Sequence, residues 1–192
     1  MNLNYTTDLE FGLWNDASTF IFDFRSTYLD SYDITPVAGL PTVNECAGAF
    51  GNTCGIPLTD FQFNARFTLS SGPLTVSALV RYLTSNEDDT IALAQVDSSL
   101  SGDDVGDLGE ISPEAFNDLV QDTVVTEIDD IFYVDLSASY QATESLTVNF
   151  GIQNLLDEEP TAVGDQQQQA NTFPEVYDVI GRKFFVSGSY RF

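Results

Sequence analysis

Strict period-two alternation constrains this chain more than any other feature. At its end, Phe184, Val186, Gly188, Tyr190 and Phe192 alternate with Lys183, Phe185, Ser187, Ser189 and Arg191. Successive side chains of a strand point to opposite sides. The pattern therefore predicts a strand with one apolar and one mostly polar face, ending on an aromatic. The same period recurs six more times. Leu3, Tyr5, Thr7, Leu9 and Phe11 alternate with Asn4, Thr6, Asp8 and Glu10. Phe20, Phe22, Phe24, Ser26 and Tyr28 alternate with Ile21, Asp23, Arg25 and Thr27, and Phe61, Phe63, Ala65, Phe67 and Leu69 with Gln62, Asn64, Arg66 and Thr68. Leu74, Val76, Ala78, Val80 and Tyr82 alternate with Thr75, Ser77, Leu79 and Arg81. Phe132, Val134, Leu136, Ala138 and Tyr140 alternate with Asp135, Ser137, Ser139 and Gln141, and Leu146, Val148, Phe150 and Ile152 with Thr147, Asn149, Gly151 and Gln153.

Runs of about 9–11 residues match a tilted strand crossing a bilayer. Tyr28, Tyr82, Tyr140 and Tyr190 sit near run ends, where rings suit a membrane–water interface. Short connections (Leu13 to Ser18, Ser70 to Pro73, Ala142 to Ser145) alternate with long ones (Thr35 to Thr59, Ser85 to Ile131, Leu155 to Val176). Outer-membrane barrels carry short turns at one end and long loops at the other. The expected fold is all-β, an antiparallel transmembrane β-barrel wall of about seven strands. The competing reading is a secreted or surface β-sandwich acting as a binding module, with or without calcium dependence, since sandwich strands also alternate. Two runs are long for sandwich strands, and the apolar face is rich in Phe rather than in a Val/Ile/Leu mixture. A small self-contained barrel is the third reading, with an odd strand count against it and an unpaired first edge.

Composition removes several functions. Of 192 residues, 30 are acidic and 6 basic, none is His, and the net charge is −24. Phosphate affinity comes from Lys and Arg, so nucleic acid is not a partner. Without His there is no imidazole base or imidazole metal ligand. No Gly-rich phosphate loop and no Ser–His pair is present, and the carboxylates lie in loops without an apolar pocket to raise their pKa. No catalytic chemistry is expected. No apolar run approaches the ~18–20 residues of a spanning helix.

Cys46 and Cys54 are the only cysteines, and in an oxidising compartment they are expected to form a disulfide. The acidic stretch between residues 87 and 130 could offer carboxylates to Ca²⁺ at Asp103-Asp104-Val105-Gly106-Asp107, although EF-hand spacing is missing. Ser112 to Leu119 reads as a short helix with Ser112 as N-cap and Pro113 in its first turn. Gln166 to Gln169 reads as a loop tip. Asp23, Arg25, Gln62, Asn64, Arg66, Arg81 and Asp135 form a polar row expected to face the lumen.

Two further motifs stand at the end of the chain: Asn154-Leu155-Leu156-Asp157 and Tyr177-Asp178-Val179-Ile180-Gly181-Arg182. With the runs from Tyr133 to Pro160 and from Asn171 to Phe192, they resemble the end of a TonB-dependent outer-membrane receptor. The stretch from Thr27 to Arg81, with its Cys46/Cys54 loop, is similar to the same family. The resemblance implies a 22-stranded barrel with a plug in its lumen, so that residues 1–192 would be the C-terminal segment of the barrel, as a fragment without the plug domain. It implies residence in the outer membrane of a Gram-negative bacterium. It also implies uptake of siderophore–iron, cobalamin or oligosaccharide with TonB-supplied energy, and no cofactor. The implied partners are outer-membrane lipid, the plug and remaining strands, the TonB complex and the barrel-assembly machinery. That machinery would read Phe184, Val186, Gly188, Tyr190 and Phe192 as the assembly signal.

Overall fold

The computed structural model describes residues 1–13, 17–35, 43–89, 125–164 and 171–192. Seven strands form one antiparallel meander: β1 (Asn2–Leu9), β2 (Ser18–Tyr28), β6 (Phe61–Ser71), β7 (Leu74–Leu83), β10 (Ile131–Gln141), β11 (Leu146–Gln153) and β12 (Lys183–Tyr190). Short strands in the connections account for the remaining labels: β3 (Asp33–Ile34), β4 (Asn44–Glu45), β5 (Ala49–Phe50), β8 (Asn86–Asp88) and β9 (Glu127–Ile128). The seven alternating runs are the seven strands, with small shifts at their ends. Phe11 lies beyond β1. The last strand closes at Tyr190, although Arg191 N–H still donates to Ser145 C=O at 2.8 Å.

Register converts alternation into rows. Tyr5, Phe22, Phe67, Ala78, Leu136, Ile152 and Phe184 stand opposite one another across all seven strands. Neighbouring rings meet across the pairs, with Phe22–Phe67 centroids 5.0 Å apart and Phe24–Phe63 5.6 Å apart. One step along the strands, the rows are polar: Asn4, Asp23, Arg66, Leu79 and Asp135 in one, and Asn2, Arg25, Asn64, Arg81 and Tyr133 in the next.

The apolar face has no cover. Phe67 is 39% exposed, Phe150 46%, Phe184 65% and Val186 70%. A sandwich buries these positions against a second sheet, and no such layer exists among the described residues. The sandwich reading fails on this point. Aromatics flank the face at both ends. Phe61, Phe63, Tyr82 and Phe132 cluster at the long-connection end, with Tyr82 and Phe132 at 4.3 Å, and Tyr190 stacks edge-on with Phe192 at the other.

The real core lies elsewhere. The long connections read as simple polar loops in the sequence, yet they build a small globular cap at one end of the sheet. Phe50, Ile128, Ile131, Tyr133, Val163, Phe173 and Tyr177 are buried together, drawn from all three connections and the start of β10. Phe50 and Phe173 meet edge-on at 5.6 Å. β5 pairs with β8 in parallel and β8 with β9 antiparallel, tying the first long connection to the second.

Cys46 and Cys54 are joined as a disulfide with Cα atoms 5.4 Å apart. In the chain-entropy account such a short loop adds about 2.5 kcal/mol. Asp89 seats it: one carboxylate oxygen accepts from Thr53 N–H at 2.7 Å and Cys54 N–H at 2.8 Å. Gly51 permits that approach, because at φ 141° a Cβ would fall 2.2 Å from the other Asp89 oxygen. Glu45 ties the loop base by accepting from Tyr32 N–H at 2.7 Å and Ala47 N–H at 2.9 Å. These two donors, Tyr32 first, hold its carboxyl below the usual carboxylate range.

Replacing Phe50 by Ala removes a fully buried ring of the cap, at a cost of about 3–5 kcal/mol. The expected result is rapid proteolysis within residues 43–60 while the strands stay protected. Unchanged cleavage rates in Phe50→Ala would show that the cap has no cooperative core.

Candidate functional site

Arg81 organises the junction between sheet and cap. It projects from the polar face near the end of β7. Its Nε lies 3.3 Å from Asp135 of β10, and its Nη2 lies 2.5 Å from Asp178 in the β11–β12 connection. The guanidinium also sits over the ring of Tyr133, 4.7 Å from its centroid, where the negative π-face favours a cation. Tyr133 is fully buried, and its hydroxyl accepts from Asp178 N–H at 3.1 Å. One arginine thus joins two strands to the loop above them.

Asn86 makes a second joint. It is fully buried, and its amide nitrogen donates to Tyr177 Oη at 3.2 Å, Thr84 C=O at 3.2 Å and Thr59 Oγ1 at 3.3 Å. Burial raises the Tyr177 phenol to about 12, with the Asn86 contact opposing.

The two motifs that carry the family resemblance meet in space. Asn154 N–H donates to Asp135 at 2.8 Å, so Asp135 holds both Arg81 and the turn after β11. Asn154 has a φ of 51°, and its amide closes a ring with Glu158, donating to its C=O at 2.8 Å and accepting from its N–H at 3.0 Å. Asp157 accepts from Arg182 N–H at 2.7 Å and lies 3.7 Å from the Arg182 guanidinium. Gly181 leaves room for that contact, since a Cβ there would approach Asp157 to 3.0 Å.

The other expected site residues divide clearly. Asp23, Arg25, Gln62, Asn64, Arg66, Arg81 and Asp135 share the polar face. A depression of about 340 Å³ opens between Asp23, Arg25, Asn64, Arg66 and Leu79. Phe184, Val186, Gly188 and Tyr190 share the apolar face of β12, with Phe192 fully exposed beyond it. The Asp103–Asp107 segment, the helix expected at 112–119 and the Gln166–Gln169 tip lie outside the described residues. Among the described residues no group of three or more carboxylates or thiols is placed to hold a metal.

Tyr133, Asn86, Tyr177 and Asp178 were not singled out as site residues from the sequence. The signal for Tyr133 was available, as an aromatic standing in the polar phase of its run. Asn86 has no local signal, because its partners come from three separate segments.

No protein-family model matches this sequence, and no curated protein matches it. Among solved structures, the chain is similar to a mutant of the ferric enterobactin receptor from Pseudomonas aeruginosa, with 13% sequence identity and a TM-score of 0.48. The match covers 100% of this chain and 22% of that one.

Tyr177 makes the cap sensitive to alkali. Its folded pKa lies above the ordinary value of about 10, so an opened cap loses the phenolic proton first. The stability it adds is complete below about pH 10 and falls as pH rises toward 12. Hydrogen exchange across the cap should accelerate over this window, and the Tyr177→Phe variant should lack that component. Identical pH profiles for the two proteins would refute the assignment.

Proposed function

We propose that this chain is part of the wall of an outer-membrane β-barrel of the TonB-dependent receptor type. In this reading it belongs to a Gram-negative bacterium and serves uptake of a scarce solute, not catalysis. One observation carries the proposal: a continuous apolar face across seven strands, exposed and uncovered, with polar rows behind it. A patch of this extent is not stable in water. Hydrocarbon satisfies it, and water or protein inside a cylinder satisfies the other side.

Further features support the reading. The longest strands have 10 or 11 residues, the length of a tilted membrane crossing. Aromatic groups stand at both ends of the apolar band, as barrel girdles do. The short turns lie at one end, and the cap lies at the other, which we assign to the cell exterior.

Strand parity supports a larger assembly. In a seven-stranded antiparallel meander, the two edge strands β1 and β12 run in the same direction. Pairing them with each other would make a parallel seam. Antiparallel closure requires an odd number of additional strands. Roughly fifteen more would reach the 22 of plugged outer-membrane transporters. The plug, the remaining strands, the TonB complex and the barrel-assembly machinery are the partners this proposal names. Siderophore–iron, cobalamin and oligosaccharide are the solute classes it admits.

Adjacent positions of β10 test the membrane assignment. Ala138→Arg places a cation on the apolar face at a cost of about 2–4 kcal/mol, and outer-membrane yield should fall. Ser139→Arg, on the polar face, should be tolerated. Equal yields of the two variants would remove hydrocarbon from the apolar side.

The exposed terminal ring tests assembly separately. Phe192→Ala should lower outer-membrane abundance, and an unchanged level would exclude recognition of the terminal ring.

A further inference from the structure

We infer that the cap binds a calcium ion on the outward face of its small sheet, β5, β8 and β9, with Asp89, Glu87 and Glu127 as the carboxylate ligands. The site lies wholly in the cap and does not depend on the barrel-wall reading.

Register divides the small sheet into two faces. Asn86 stands opposite Ile128 and Asp88 opposite Phe50, and all four are buried. The other face carries Ala49 beside Glu87, and Glu87 directly opposite Glu127. Both glutamates are exposed. Like charges placed directly opposite across a strand pair repel. Asp89 continues the phase of Glu87 two residues on, and its carboxylate lies against Gly51 at the mouth of the disulfide loop.

Asp89 points to a ligand independently of its acidic neighbours. It is 5% exposed. One carboxylate oxygen takes the Thr53 and Cys54 N–H groups, but Oδ1 is buried with no hydrogen-bond partner among the described residues. Buried carboxylates are stable when they are paired, hydrogen-bonded or on a metal. The chain offers no cation here. No Lys, Arg or His stands between Arg25 and Arg66 or between Arg81 and Arg182, the stretches that supply β5, β8 and β9. Arg81 at the base of the cap is held by Asp135 and Asp178. Among the described residues, neither glutamate nor Asp89 has an ion pair within 4.0 Å. A buried water would satisfy the oxygen but not the repulsion among three carboxylates. A divalent cation answers both.

The donors select the ion. They are oxygens alone, since the chain has no His and both cysteines are in the disulfide. Hard oxygen donors favour Ca²⁺ over transition metals. The three carboxylates are not gathered at one point in the structure, and the two glutamates must turn from solvent toward Asp89. Ca²⁺ accepts such an irregular shell of about six to eight oxygens, completed by backbone carbonyls and water, whereas Mg²⁺ demands a near-ideal octahedron. The bound ion would fasten β8 and β9 to the disulfide loop.

The test uses the full chain in mild detergent, with calorimetric titration of CaCl₂ and limited proteolysis within residues 43–60 as readouts. At a Ca²⁺ concentration about ten times Kd, cleavage should slow about tenfold relative to EDTA. The Glu87→Gln/Glu127→Gln variant should lose both the heat and the protection. In EDTA it should resist cleavage at least as well as the wild type, because it removes the opposed like charges; loss of the response then cannot come from an unfolded cap. Asp89→Asn should also lose the response. Asp103→Asn/Asp104→Asn/Asp107→Asn should keep it. A wild-type chain without calcium-dependent heat or protection would overturn the inference. So would a response lost only in the triple variant, which would put the ion elsewhere, or equal protection by Mg²⁺, which would reduce the effect to charge screening.

Discussion

Backbone pairing assigns every side chain of this sheet to a face, and that coupling is what the rest of the structure depends on. A slip of one residue between β2 and β6 would bring Asp23, Arg25 and Arg66 among the phenylalanines. The rows oppose such a slip. Phe22 meets Phe67, Phe24 meets Phe63, and Phe63 meets Tyr82, each contact worth a fraction of a kcal/mol and repeated along the seams. The resulting surface is an apolar band with nothing packed on it among the described residues. Its stability therefore depends on its surroundings, and the polar rows on the opposite face require water or polar partners.

The two ends of the strands have different tasks. At one end, the turn after β6 is tight and the chain returns at once into β7. At the other, connections distant in sequence condense into the cap and its small core. Arg81 joins the two regimes. It bridges Asp135 on the neighbouring strand and Asp178 in the cap while lying over Tyr133. Loss of Asp178 would leave Arg81 half-compensated near its buried ring, so loop position and strand pairing are energetically coupled. Tyr177 and Asn86 extend this coupling to β8.

Alternation made the sheet legible because the period of a strand is two and each run was long enough to repeat it several times. The order of the strands followed from short turns. The faces of Asp23, Arg66 and Asp135 followed from phase alone. The cap was not legible, because Phe50, Ile128, Val163 and Phe173 come from segments without internal period and meet only through long-range closure. The short strands β3, β4, β5, β8 and β9 run for two or three residues, too few for a pattern. Asn86 shows the same limit: its three partners belong to residues 59, 84 and 177. Tyr133 is the instructive case. An aromatic in the polar phase marks the place where that face of the sheet meets the cap.

The two motifs of the family resemblance are fastened to each other. Asn154 and Asp157 shape a turn, Gly181 and Arg182 dock onto it, and Asp178 completes the Arg81 cluster. Their polar atoms are occupied by one another, which leaves little with which to recognise a solute. A joint of this kind depends on its own geometry. The resemblance therefore reports a way of fastening the last loop to the wall.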